Sequence, residues 1–288
     1  MKKPAPPIWK CREHRLRPDL APLVMGILNA TPDSFSDGGR HADAGRAIAH
    51  ALRMIEDGAD IIDVGGESTR PGAAEVPAEE ELRRILPVVI ALATQTKIPI
   101  SVDTRKPEVA RAALDAGASI INDITALQAP GMAGVVREAG AGAILMHMLG
   151  TPATMQQNPV YADVAAEVGL FLQSRIDTLT QREGVERECL AVDPGIGFGK
   201  TAEHNWQLLN GLETLAATGA PVAVGVSRKR FLGLATGRQD VNDRLAASLA
   251  ALVCALGKGA RILRVHDVRE SRDAVRVWQA FSGAPAKS

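Results

Sequence analysis

The chain has 288 residues, 46% of them hydrophobic, and its 33 basic residues balance 33 acidic ones to a formal charge of zero. That length and apolar content suffice for one sizeable core, while zero net charge and only 3% aromatic residues argue against nucleic acid or an anionic membrane as a partner. Cys11, Cys189 and Cys254 are scattered without a Cys-x-x-Cys pair, which suits packing thiols in a reducing compartment. The start, Met1 to Lys10, runs from lysines into prolines and a tryptophan where a signal peptide would be apolar, and no apolar run approaches the ~18 residues of a membrane span, so a cytoplasmic location is expected.

Residues 1–22 are expected to precede the main domain and to cover its floor, and residues 23–288 to form one domain. Within that domain eight short apolar runs each end on, or lead to, a residue capable of chemistry. Val24 to Leu28 ends at Asn29, Ile61 to Asp63 leads to Glu67, Ile98 to Val102 ends at Asp103, and Ser119 to Ile121 ends at Asn122. Ala143 to Met146 ends at His147, Leu190 to Val192 at Asp193, Val222 to Val226 at Ser227, and Ile262 to Val265 leads to His266. Helices are expected between them at about Asp43 to Asp57, Ala78 to Thr94, Pro107 to Ala116, Met132 to Ala139, Ala162 to Arg182, Ala202 to Ala217, Val241 to Leu256 and Ser271 to Phe281. Gly-Ala steps at Gly58, Gly117, Gly140, Gly219 and Gly259 punctuate the helix ends. Continuous Ile/Val/Leu strands alternating with helices read as a parallel α/β sheet, and eight such units read as a (β/α)8 barrel with its active site on the carboxyl rim of the strands. Two loops on that rim, Thr31 to Arg40 and Gly65 to Pro77, are rich in glycine, proline, serine and charge and read as lids.

Asp103, Asn122 and Asp193 close the third, fourth and sixth strands. Each alone could cap a helix or a turn, but together they offer two carboxylates and an amide to a ligand edge rich in N–H groups, a description that an aminopyrimidinone fits. Asp193 opens the run DPGIGFGKT, which fails the phosphate-loop spacing because Pro194 stands where the first glycine is required. The run reads instead as a glycine-rich turn that projects Phe198 into the pocket and leaves Lys200 solvated. SRKR, from Ser227 to Arg230, follows the seventh strand, and RVHD, from Arg264 to Asp267, closes the eighth, the corner of such barrels where anions bind. Arg264 and His266 alternate along the strand and so share a face. Asn29, on the neighbouring first strand, supplies one neutral oxygen of the kind that Mg²⁺ takes when phosphate and water complete its shell. Nothing in the chain has the spacing of a zinc site.

With NATPDSFSDGG, GADIIDVGGESTRPGA, SVDT, IND, LMHM, DPGIGFGK, GVSRK and RVHD in that order, residues from about Leu23 to Phe281 resemble the dihydropteroate synthase family of the folate pathway, the target of sulfonamides. The resemblance implies a homodimeric (β/α)8 barrel that joins 6-hydroxymethyl-7,8-dihydropterin diphosphate to 4-aminobenzoate with release of diphosphate. It assigns the pterin to Asp103, Asn122, Asp193 and Lys229 with Met146 against the ring, Mg²⁺ to Asn29, and the diphosphate to Asn29, Thr69, Arg264 and His266. The 4-aminobenzoate pocket falls to Phe35, Arg70, Pro71, Phe198 and the Lys229–Arg230 backbone with Ser227 nearby, and Asp37 closes over metal and diphosphate. Some members carry serine where Arg230 stands, which leaves the aminobenzoate carboxylate to backbone N–H groups and to that arginine. Catalysis then rests on Asp103 beside a pterin cation and on Arg264 and His266 beside the leaving group, a dissociative scheme. A corrinoid methyltransferase on the same barrel would need neither the SRK/RVHD corner nor the two lids, and a non-catalytic pterin-binding paralogue would have lost Asn29, Asp103, Arg264 or His266. LAASLAALVCAL, in the helix at Val241 to Leu256, is apolar around most of its circumference and is expected to face a partner in a homodimer.

Overall fold

Eight parallel strands close into a barrel in the computed structural model, which describes residues 8–30, 39–69 and 72–283, the side chains of 39–43 excepted. A short antiparallel hairpin, β1 (Trp9–Cys11) and β2 (His14–Leu16), comes first. The barrel strands are β3 (Leu23–Asn29), β4 (Ile61–Gly65), β5 (Ile100–Asp103), β6 (Ile120–Asp123), β7 (Gly142–Met146), β8 (Leu190–Asp193), β9 (Val222–Val224) and β10 (Ala260–Val265), with β10 beside β3 closing the ring. Around it run α1 (Gly39–Glu56), α2 (Ala78–Gln95), α3 (Pro107–Asp115), α4 (Met132–Ala139), α5 (Val164–Gln181), α6 (Ala202–Asn210), α7 (Leu212–Ala216), α8 (Arg230–Thr236), α9 (Leu245–Gly257) and α10 (Val268–Ser282).

Side chains alternate across each strand, so one set fills the barrel and the other meets the helices. Val24, Leu28, Ile62, Val64, Val102, Ile121, Leu145, Val192, Val224 and Leu263 belong to the core shared with the helices. Met25, Ile61, Ile120, Ile144, Ala191, Ala223 and Ile262 form the lower layer inside the barrel, and Trp9 and Cys11 of the hairpin pack into the same cluster from below. Trp9 is wholly buried and its indole N–H donates to the Cys189 carbonyl at 3.0 Å. Removing ~150–250 Å² of ring from water contributes on the order of 4–6 kcal/mol before ordering costs, enough to hold a three-residue strand in place. The seating explains Gly142 at the start of β7, where a Cβ would stand 2.4 Å from Cys11 Sγ.

Four expected helices differ in detail, the first by starting at Gly39 and not Asp43. The stretch 202–217 is two helices broken at Gly211, where a Cβ would meet that of Ala165 at 2.9 Å, so the chain bends to let α5 approach. The stretch 241–256 opens with a 3-10 turn, Val241–Arg244, because Asp240 caps that turn by accepting from the Asn242 N–H at 2.8 Å, and the α-helix begins at Leu245. The last helix starts at Val268, not Ser271, since Val268, Ser271 and Arg272 already lie on its buried face. Among the described residues no helix is long and apolar enough to cross a membrane.

Candidate active site

The alternation that fills the lower layer with hydrocarbon carries the next inward residues to the carboxyl ends of the strands, and there they are mostly polar. Two residues beyond Met25, Ile61, Ile120, Ile144, Ala191 and Ile262 stand Ile27, Asp63, Asn122, Met146, Asp193 and Arg264. Parallel registers set Asp103 opposite both Gly65 and Asn122, and Met146 opposite Asp193. One pocket at that end is lined by Ile27, Thr69, Asp103, Asn122, Ile124, Met146, Asp193, Gly195, Ile196, Phe198, Gly225, Ser227, Lys229, Arg264 and His266. Residues from all eight strand ends or the loops that follow them therefore converge, with Thr69 contributed by the loop after β4.

Arg264 is the hub. Its Nε donates to Asp63 Oδ2 at 2.6 Å and its Nη2 to Asp103 Oδ2 at 2.8 Å, so two carboxylates share one guanidinium. Asn122 Nδ2 donates to the same Asp63 oxygen at 3.1 Å, which turns the Asn122 carbonyl oxygen to the pocket as an acceptor. Burial pushes Asp103 up to about 7, opposed by Arg264 and aided by the charge of Asp63. Arg264 itself stays protonated; burial works against its charge, but Asp63 and Asp103 more than offset it. Asp193 is also raised by burial, against the pull of the Gly195 N–H at 2.6 Å and of Lys229. Lys229 donates to the Ile196 carbonyl at 2.7 Å and stands 4.5 Å over the Phe198 ring, with burial bringing its ammonium down to about 8.

On the other side, Ser227 Oγ lies 3.0 Å from His266 Nδ1 and accepts the His266 backbone N–H at 3.2 Å. A hydroxyl hydrogen given to Nδ1 would leave the imidazole proton on Nε2 as a donor toward the pocket. Burial, then the nearby Arg264 and Arg228, hold His266 down to about 4, so it is neutral at pH 7. Arg228 knits the corner: at φ 59 it turns the chain so that Ser227 and Lys229 both reach the pocket, while its Nε donates to Asp267 at 3.0 Å and its backbone N–H to Ser248 Oγ at 2.9 Å.

The structure thus brings together Asp103, Asn122, Met146, Asp193, Lys229, Thr69, Phe198, Ser227, Arg264 and His266. Asn29 ends β3, half-buried, on the same side as Ile27 and one layer above it, beyond the pocket's immediate lining. Arg230 is exposed on the first turn of α8, outside the lining. Phe35, Asp37, Arg70 and Pro71 lie outside the described residues. Lys200 corrects an expectation: far from being solvated, it is 3% exposed and donates to the Phe198 carbonyl at 2.9 Å and to His147. The glycine turn folds back on the segment after β7 and closes over the lysine. Five residues of the lining were not anticipated, Ile27, Ile124, Gly195, Ile196 and Gly225, along with Asp63 beneath them. A carboxylate inside the apolar run IIDV was the available signal, since a buried Asp requires a cation.

Such a barrel, with acceptors and one guanidinium at its carboxyl end, is the architecture of the pterin-binding enzymes. That family's model matches residues 25–266, and the chain belongs to it. Within the family the similarity is to dihydropteroate synthases. The Escherichia coli K12 enzyme is 51% identical over 263 residues, covering 91% of this chain and 93% of the other. Among solved structures, Xanthomonas albilineans dihydropteroate synthase with 4-aminobenzoic acid superposes with a TM-score of 0.91 at 49% identity, covering 98% of this chain and all of that one. The Yersinia pestis dihydropteroate synthase in a sulfonamide drug complex gives 0.90 at 44% identity, covering 96% of this chain and all of that one. The chain's activity is that of a dihydropteroate synthase, a transferase of folate biosynthesis.

Proposed function

We propose that the pocket divides the two halves of the pterin substrate between its two sides. The aminopyrimidinone edge is read by Asp103, Asn122, Asp193 and Lys229, with Met146 against the ring, while the diphosphate faces Thr69, Arg264 and His266. The supporting observation is the arrangement of the lining: acceptors from β5, β6 and β8 and, from the end of β10, a guanidinium and a neutral imidazole, with the Arg264–Asp103 ion pair at 2.8 Å where the two sides meet. Each hydrogen bond from a pterin N–H to an ionised carboxylate contributes about 1.5–3 kcal/mol. The 4-aminobenzoate wall is Phe198 with Ser227 and the Lys229 backbone, completed by Phe35, Arg70 and Pro71, and Asp37 closes over the diphosphate. A sulfonamide would compete for that wall.

Among the described residues no group of three or more His, Cys, Asp or Glu side chains is arranged to hold a metal. The described residues therefore offer no cage, and the donor set suits a hard cation that takes one neutral oxygen from Asn29 and the rest of its shell from diphosphate and water. Mg²⁺ fits, and when bound it would supply positive charge to the leaving group. The chain's own residues do the remainder. Arg264 and the Nε2–H of His266 stabilise the charge that grows on the diphosphate oxygens as the carbon–oxygen bond breaks, and Asp103 stabilises the cation left on the pterin methylene and ring. The amine of 4-aminobenzoate, neutral at pH 7, then forms the carbon–nitrogen bond and loses a proton to solvent. No general base is assigned because none is required.

The face of α9 away from the barrel exposes Ala246, Ala250, Cys254 and Gly257 in one stripe, an apolar surface that supports a homodimer. The direct test of the functional reading is diphosphate release from purified protein. Release that needs dihydropterin diphosphate, 4-aminobenzoate and Mg²⁺ together is expected; release without the amine at the same rate would contradict it.

A further inference from the structure

Lys200 and His147 take no part in the scheme above and lie behind the pocket, under the turn that carries Phe198. That turn leaves β8 with Gly195, Gly197 and Gly199 at φ 68, 85 and 63 and lies flat on the segment after β7. A Cβ on Gly195 would fall 1.9 Å from the His147 carbonyl oxygen, and one on Gly199 would fall 2.7 Å from that of Leu149. Its backbone is tied almost residue by residue. The Asp193 carbonyl accepts from the His147 N–H at 3.1 Å, Gly197 N–H donates to Asn205 Oδ1 at 2.7 Å, and the Gly197 carbonyl accepts from Gln156 at 2.8 Å. The Gly199 carbonyl accepts from the Tyr161 hydroxyl at 2.9 Å.

At the centre, Lys200 Nζ donates to the Phe198 carbonyl at 2.9 Å, to His147 Nδ1 at 3.0 Å and to the His147 carbonyl at 3.3 Å. All three ammonium hydrogens are placed. His147 can accept at Nδ1 only as the neutral Nε2–H tautomer, and burial followed by the charge of Lys200 keeps it so, down to about 3. Its ring meets Phe171 edge-on at 5.0 Å, which fixes it further. Burial brings the Lys200 ammonium down to about 7, against the pull of Asp193, a cost that an apolar side chain filling the same space would not meet, so packing alone does not account for a lysine here.

We infer that Lys200 is a positioning residue for the second substrate, gripping the Phe198 carbonyl and His147 together so that the Phe198 ring is held on the pocket wall beneath Lys229. The inference rests on the reading of Phe198 as part of the 4-aminobenzoate wall. On the pterin side Asp103 and Asn122 belong to strands that the turn does not touch, whereas Asp193 accepts from the Gly195 N–H and Lys229 donates to the Ile196 carbonyl, so the loss of Lys200 should fall mainly, not solely, on the second substrate.

The test is steady-state kinetics on Lys200→Met, Phe198→Ala and the double variant, with thermal melting to confirm folding. Lys200→Met keeps the length of the side chain and removes its donors. It is expected to raise KM for 4-aminobenzoate by about 10-fold, the scale of one strong hydrogen bond, while KM for the pterin diphosphate moves by less than about 3-fold. In the Phe198→Ala background the same substitution should add almost nothing to KM for 4-aminobenzoate, because its effect travels through that ring. Fully additive effects, or an equal rise in both KM values, would overturn the inference. If Phe198→Ala alone leaves KM for 4-aminobenzoate unchanged, the wall reading itself is wrong. Should Lys200→Met fail to fold, Tyr161→Phe, which releases only the Gly199 carbonyl, should show the same selective rise at about 2- to 3-fold; no rise would count against the inference.

Discussion

Replacing Asp63 by asparagine should move the acid limb of the enzyme's pH profile to lower pH. Asp63 is fully buried, and one oxygen accepts from Arg264 at 2.6 Å and from Asn122 at 3.1 Å, while the other has no hydrogen-bond partner among the described residues. Asp63→Asn keeps the shape and removes a charge that Asp103 now feels through their shared guanidinium. Two carboxylates on one guanidinium stand roughly 5 Å apart, and at an effective dielectric constant of ~20 their repulsion is about 3 kcal/mol. With 1.36 kcal/mol to a unit, and part of the effect lost to rearrangement of Arg264, Asp103 should ionise about one to two units lower. In the parent enzyme burial first, and then Asp63, raise Asp103 to about 7, so its carboxylate forms only as the pH rises through that value. If the ionised form binds the pterin, kcat/KM for pterin diphosphate falls as pH drops through 7 in the parent and through a lower value in the variant. On the alkaline plateau the variant should be about 10-fold slower, because Asn122 and Arg264 have lost a charged acceptor. The assay is diphosphate release at limiting pterin diphosphate between about pH 5.5 and 9, a range set by the raised carboxylate. An acid limb that stays in place or moves upward, in a variant that melts normally, would refute the electrostatic linkage among Asp63, Arg264 and Asp103.

Asp193→Asn should weaken pterin diphosphate binding by roughly 10- to 100-fold in calorimetry, and unchanged affinity would remove Asp193 from the site. 4-Aminobenzoate should bind poorly until diphosphate or pterin diphosphate is present, if Phe35, Arg70 and Pro71 complete its pocket only once the anion is bound. Equal affinity with and without diphosphate contradicts that order. Light scattering at micromolar concentration should give the mass of a dimer, and charge placed on the α9 stripe by Ala250→Glu should give a monomer; a wild-type monomer would dismiss the interface.

Strand ends were the most legible part of the chain, because a parallel strand buried on both faces reads as an uninterrupted apolar run and the first polar residue after it marks the rim. Asn29, Asp103, Asn122 and Asp193 were placed that way, and Arg264 and His266 by their spacing of two. The same rule hid Asp63, which sits one layer below the rim inside its run and makes sense only once Arg264 is seen reaching across the barrel from β10. Lys200 was misread because a lysine after a glycine-rich turn is ordinarily solvated. What buries it is contact with His147, 53 residues away, and no local pattern reports such a contact. The hairpin at Trp9–Cys11 was equally silent, since three-residue strands carry no alternation to read. Arg230, which the resemblance sets near the aminobenzoate carboxylate, is exposed on the first turn of α8, and no local pattern reports whether it reaches the pocket.

The central claim is that the pocket separates charge, with Arg264 and His266 on the departing diphosphate and Asp103 on a pterin cation, before the amine arrives. The most direct test is the secondary deuterium isotope effect on kcat/KM for pterin diphosphate labelled at the reacting methylene, measured where single-turnover kinetics show chemistry to be rate-limiting. The account predicts a normal effect clearly above unity, reduced in rate but not in size by His266→Ala. A value near unity under those conditions would mean that the amine displaces diphosphate directly, and would contradict it.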